Sequence, residues 1–324
     1  MPQGKFSMKK TLRTLTLIII CPVFVLSFFP AEQEKATDHV IQKQWENSLH
    51  AGSLDTPDEK ERMNQSGCAH CHTAQGYWRE ILAGKKSQAP YENATGITCE
   101  ACHDPEKMSS DDPALRAGGP EKACTGCHDI LVQNDDKGFS SCLQGTMLRG
   151  EGGAEFEGTA YRTATHSQVE NNCVGCHMAE SPQGDQQFLL GGHVFRVITK
   201  SQEPRLFNDT GCMECHVTIT LAGIDKSQVE VKELMQELKD LLPKQKDGEP
   251  KFPEDPSLNK IQAKAAFNYY FILKDGTWGI HNPIYIRQLL ESSLEALDAY
   301  DKSALVPPGL GSFVFPYLGI GRDN

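Results

Sequence analysis

Basic residues are in deficit: 32 Lys and Arg stand against 43 Asp and Glu, a formal net charge of -11 over 324 residues. A general nucleic-acid binder displaces counterions from phosphates with a cationic surface, so this balance excludes that class and points to cationic partners. Aromatic residues make up only 8% and hydrophobic residues 39%, a modest apolar content. The core is therefore expected to be completed by something other than side chains. Long apolar runs are also missing, apart from one between Leu15 and Phe29, which excludes a polytopic membrane protein. That run follows Lys5, Lys9, Lys10 and Arg13, the n-region and h-region order of an export signal over residues 1–31. Ala31 can close the cleaved segment, but Phe29 stands where a small residue is usual, so an uncleaved N-terminal anchor is the alternative. Either way the chain is expected to be periplasmic or extracellular.

Cysteine and histidine are plentiful, at twelve and eleven residues. In an exported chain this suggests disulfides first, and the spacing has to decide. Cys68-Ala-His70-Cys71-His72, Cys99-Glu-Ala-Cys102-His103, Cys124-Thr-Gly-Cys127-His128, Cys173-Val-Gly-Cys176-His177 and Cys212-Met-Glu-Cys215-His216 are five copies of C-x-x-C-H. Chance supplies on the order of 0.01 such patterns in a chain of this composition. Two thiols set apart by a two-residue spacer add to the two vinyl groups of one haem, and the adjacent His binds the iron. Zinc sites usually pair two C-x-x-C units and do not require a His after every second Cys. The pattern therefore implies five covalently attached haem c, with His72, His103, His128, His177 and His216 as proximal ligands. Cys21, within the export signal, and Cys142 remain, and Cys142 reads as a buried, unreactive thiol.

Each iron has a sixth position. Setting aside His70 inside the first motif, five histidines stand outside all motifs: His39, His50, His166, His193 and His281. Five candidates for five irons suggest bis-His ligation throughout, giving low-potential centres suited to electron transfer. His39, near the exported N-terminus, is the weakest of the five. Methionine ligation ranks below histidine, because Met178 and Met213 adjoin motifs and Met235 belongs to an apolar helix face.

The expected fold class is mainly α, a multihaem cytochrome c with a haem-packed core of loops and short helices and long C-terminal helices. The haem-binding region spans residues 32–224 and the helical region 225–304, ahead of a Pro/Gly-rich tail, 305–324. One helix is signalled from Ser227 by Ser227-x-x-Glu230 and by Val231, Leu234, Met235, Leu238 and Leu242, with Pro243 as its end. A second is expected after Asp255-Pro256, closed by Asp275-Gly276, and a third from Asn282-Pro283.

The order of Gly96-Ile-Thr-Cys99 to His103, Thr165-His166 before Cys173 to Met178, Gly192-His193 before the fifth motif, and Gly279-Ile-His281-Asn282-Pro283 resembles a known group. It is similar to pentahaem ammonia-forming cytochrome c nitrite reductase and to the haem core of octahaem hydroxylamine oxidoreductase, over most of residues 45–300. The resemblance implies closely stacked haems and distal ligands at His50, His166, His193 and His281. Departures accompany it. The first motif ends in His72, where typical nitrite reductases have Lys. Residues 129–165 contain no His for the family's catalytic position, Asp129-Ile130-Leu131-Val132 lacks its Tyr, and Arg62 lies too close to the haem loop to serve as its Arg. Two functions are thus expected: an electron-transfer cytochrome working between redox donor and acceptor proteins, or an oxidoreductase acting on nitrite or hydroxylamine at an open first haem. On the first, a membrane quinol dehydrogenase is a candidate donor, and a His from a second copy could cap the first haem in a homo-oligomer or filament.

Overall fold

The structure, a computed structural model, describes residues 30–109, 112–134 and 138–304. Of the expected export signal, 1–31, residues 1–29 lie outside the described residues, as does the tail, 305–324. Two units are distinguished, Met1–His39 and Val40–Asn324. Helix α1, Pro30–Glu46, begins in the first and ends in the second. Among the described residues no helix is long and apolar enough to cross a membrane.

The fold is mainly helical, as expected. From Val40 to residue 220 the helices are short: α2 (Pro57–Met63), α3 (Ala69–His72), α4 (Ala74–Gly76), α5 (Cys99–Cys102), α6 (Pro120–His128), α7 (Gln144–Arg149) and α8 (Cys173–His177). Four of the five C-x-x-C-H motifs fall on these turns, because cysteines three apart share one side of a helical turn. The fifth, from Cys212, forms a turn instead. The exception to the helical pattern is a hairpin between α6 and α7, β1 (Ile130–Asn134) antiparallel to β2 (Gly138–Cys142), with Ile130 opposite Cys142.

Three long helices follow: α9 (Leu221–Leu241), α10 (Lys260–Asp275) and α11 (Pro283–Ala304). Two of the expected starts are corrected. Helix α9 begins at Leu221, six residues ahead of Ser227, because the Thr220 side chain accepts from the Gly223 N–H and caps it there. Helix α10 begins at Lys260, because Asn259 and Gln262 form the capping box, while Asp255 closes a turn by accepting from Ser257. The ends agree with the sequence: Pro243 follows α9, Gly276 closes α10 at φ +71°, and α11 opens at Pro283.

The side-chain core lies among these helices and α7. Met147, Val231, Met235, Leu238, Phe271, Ile272, Tyr285, Ile286, Leu289 and Leu290 are all buried there. Around the first three motifs the buried hydrophobic residues described are mostly small, Ala69, Ala74 and Ala101, beside Leu54 and Tyr77. A core this thin in large apolar side chains fits the compositional expectation that another apolar body fills it.

Candidate functional site

Four of the five motif histidines face a second imidazole. The ring centroids of His103 and His193 are 6.2 Å apart, those of His128 and His50 6.2 Å, His177 and His281 6.3 Å, and His216 and His166 6.1 Å. With metal–imidazole bonds of about 2.0–2.1 Å and about 1.1 Å from nitrogen to ring centre, two imidazoles trans across one metal have centroids about 6.3 Å apart. All four spacings match that requirement. The residues therefore fit an iron held between each pair. Among the described residues no group of three or more His, Cys, Asp or Glu side chains forms a cage for a bare metal ion.

Local structure explains how these histidines are placed. His50 stands just before a 3₁₀ turn, Ala51–Leu54, next to α1, whose Trp45 donates its indole N–H to the Ile97 carbonyl, 2.9 Å away and two residues before the second motif. His166 and His193 sit in the 3₁₀ turns Thr165–Gln168 and Gly192–Val194. Gln44 of α1 accepts from the His193 backbone N–H at 3.2 Å and donates to the Gln187 carbonyl at 2.9 Å. His281 precedes α11, where buried Asn282 accepts from the backbone N–H of Tyr285 and of Ala164 and donates to Leu148 and Thr163. One amide side chain thus fixes both the start of α11 and the strand of chain leading to His166.

Hydrogen bonds at Nδ1 leave Nε2 free to ligate. His103 donates to Pro113 O at 2.6 Å, His166 to Ile280 O at 2.6 Å and His177 to Phe195 O at 2.9 Å. His281 instead meets the Asp275 carboxylate, at 2.6 Å. Burial, then neighbouring His128, pushes His50 down to about 4. Burial likewise lowers His128, His177 and His193. These rings are held neutral, the form that binds a metal.

The motifs also fall in a definite order. Cys71 of the first lies against Cys127 of the third, and Cys102 of the second is a neighbour of Cys127. Cys124 of the third lies against Cys173 of the fourth, and Cys176 of the fourth neighbours Cys215 of the fifth. Motifs one, three, four and five form a row, with the second beside the third. Glycines permit the tight approach: a Cβ on Gly211 would lie 2.3 Å from Gly175 O, and one on Gly126 2.8 Å from the Ile81 side chain.

His72 is the exception. Among the described residues it faces no imidazole at this spacing; burial, then His70, holds it below the ordinary histidine value. His39 is exposed on α1, within the first unit. His70, set aside in the sequence as part of the first motif, has its Nε2 buried without a hydrogen-bond partner among the described residues. Cys142, ending β2, is exposed rather than buried as expected, because the strand ends at the surface; desolvation, then neighbouring Cys127, still raises it, against a thiolate role. Sequence reasoning did not single out Gln44, Phe195 or Asp275. Only Asp275 carried a signal there, and it was that of a helix stop.

Residues 55–129, which hold the first three motifs, match the family model described as Cytochrome c7 and related cytochrome c. Across 78% of its length the chain superposes on the Outer Cell Wall Cytochrome OcwA, with TM-score 0.55 and 23% identity. The fold is that of a multihaem cytochrome. A cytochrome c binds haem covalently, so haem c is the cofactor of the matched segment. An undecahaem cytochrome from the S-layer of Carboxydothermus ferrireducens is a more distant likeness, 15% identical over 79% of this chain with TM-score 0.46. The chain spans 49% and 40% of the lengths of those two proteins. No curated protein matches its sequence.

Proposed function

We propose that this protein is an exported pentahaem c-type cytochrome that carries electrons along a row of haems between redox donor and acceptor proteins. The observation that carries this reading is the set of four opposed imidazole pairs at 6.1–6.3 Å. Cys68 and Cys71, Cys99 and Cys102, Cys124 and Cys127, Cys173 and Cys176, and Cys212 and Cys215 form the thioether bonds. His103, His128, His177 and His216 are proximal ligands opposite His193, His50, His281 and His166. Haem iron held by two imidazoles supplies reversible one-electron chemistry at low potential and offers no site to a substrate. The protein's part is to fix the rings of His103, His166, His177 and His281 by their Nδ1 bonds, to keep His50, His128, His177 and His193 neutral by burial, and to bring successive motifs into contact.

For the first haem, proximal ligation falls to His72 and the sixth position to His39 or to a histidine of a second copy, which would link copies into an oligomer or filament. An exterior location suits both the export signal read in residues 1–31 and the outer cell wall named for OcwA.

A second reading rests on His72 facing no imidazole among the described residues: the first iron is open and acts on nitrite or hydroxylamine. Against it stands the lack of any His in residues 129–165 to serve as proton donor. Low-temperature EPR of the ferric protein, with haem quantified in the same sample and nitrite then added, separates the two. Five haems, all low-spin and indifferent to nitrite, support the carrier. One high-spin haem that responds to nitrite, with sustained turnover from a reduced dye, replaces it with the enzyme.

A further inference from the structure

Among the ligand histidines whose Nδ1 partner is a protein group in this structure, His103, His166 and His177 use a backbone carbonyl and His281 uses a carboxylate. Asp275 is the last residue of α10, and its side chain is fully excluded from solvent, at 0% exposure. Its Oδ1 accepts from His281 Nδ1 at 2.6 Å. Its Oδ2 accepts from the Thr277 backbone N–H at 3.2 Å and from the Thr277 hydroxyl. The turn that makes this possible runs through Gly276, Trp278 and Gly279, all at positive φ, and returns the chain so that His281 faces the carboxylate six residues behind it. Among the described residues the ion pairs of Asp275 include no Lys or Arg, so the imidazole is the group its charge acts on.

We propose that Asp275 lowers the reduction potential of the haem held by His177 and His281, making it harder to reduce than a backbone carbonyl at the same Nδ1 would. The inference rests on the ligation assigned under Proposed function. A buried carboxylate accepting an imidazole N–H forms a charge-assisted hydrogen bond and draws the ring toward imidazolate. A more basic ring donates more electron density to iron and favours the ferric state. A backbone carbonyl does this much less, which separates this site from those of His103 and His166. Low local dielectric keeps the effect strong. Thr277 acts in the opposite sense, since its two donors draw charge away from the carboxylate. Asp275 is thus a positioning and tuning residue that acts through His281.

The test is a potentiometric titration of the full-length holoprotein, followed optically and by EPR, with His281→Ala used to identify the signal of this haem. In Asp275→Asn the amide oxygen can still accept from Nδ1 but carries no charge. The midpoint of that one haem is expected to rise by tenfold or more in its reduction equilibrium, about 59 mV for a one-electron couple, with the low-spin signal retained. Thr277→Val should lower the same midpoint. Opposite signs from two neighbouring substitutions are not the outcome of a merely structural role. Unchanged midpoints in both variants, equal signs, or loss of the low-spin signal in Asp275→Asn would overturn the proposal. Should Asp275→Asn fail to fold, Thr277→Val decides alone: a lowered midpoint supports the proposal and an unmoved or raised one refutes it. Haem count and low-spin intensity of the unmodified protein separate the two failures. If no haem is ligated by His281, the ligation reading falls; if it is ligated and its midpoint does not move, the role of Asp275 alone falls.

Discussion

Phe195 touches three of the opposed pairs at once. Its ring lies 4.8 Å from that of His50 and 5.8 Å from that of His193, both edge-on, and its carbonyl accepts from His177 Nδ1. It does so from a left-handed conformation, φ +58°, which is unfavourable for a bulky side chain and persists only where surrounding contacts enforce it. Phe195→Ala removes both edge contacts and leaves the carbonyl. The expected result is an unchanged haem count with altered EPR g-values for the two haems of His50 and His193, as their rings reorient; unaltered spectra would show that Phe195 does not set those planes. His193→Ala should convert one low-spin haem to high-spin, read in the same experiment. The five C-x-x-C-H motifs were legible in sequence because their pattern is contiguous. From the residues themselves His50, His166, His193 and His281 were legible only as a count, since a distal ligand has no fixed sequence relation to its motif; the family resemblance alone singled them out. Phe195, Gln44 and Asp275 were not legible, because their roles depend on long-range approach and on backbone angles that no local pattern announces.

The elements are governed by caps and close approaches. Asn282, fully buried, makes four hydrogen bonds that join α11, the end of α7 and the segment before His166. Asn282→Ala leaves buried backbone groups without partners, at about 1–3 kcal/mol each. It should lower the melting temperature markedly and broaden the low-spin signals of the haems of His166 and His281, checked by calorimetry and EPR. Gly211 matters for the opposite reason, since a Cβ there collides with the backbone of the fourth motif. Gly211→Ala is expected to destabilise by about 1–3 kcal/mol, measured by denaturant unfolding. Helices α9 to α11 were readable from apolar periodicity, and their ends from Pro243, Gly276 and Pro283. The starts of α9 and α10 were misplaced because several residues nearby could cap, and the choice among them follows from packing rather than from local preference. The hairpin of β1 and β2 was not anticipated.

At the scale of the molecule, stability is divided between two kinds of core. Helices α9 to α11 bury large aliphatic and aromatic side chains, whereas the segment around the first three motifs buries mostly alanines. If haem fills the second core, protein made without haem attachment should keep much of the C-terminal helical structure and lose the rest. Limited proteolysis would then cut between residues 47 and 220 while sparing α9 to α11; equal resistance throughout would mean that the motif region folds without its cofactor. Composition announced this division in advance through the low aromatic content, but not where the boundary would fall.

The third motif meets the first, the second and the fourth. In network terms it is a junction, and a haem array that follows these contacts branches there instead of running as a single wire. Disabling the haem of His103 would close a branch and spare the route from His72 through His128 to His216. Disabling that of His128 would remove the contact by which the first motif meets the fourth.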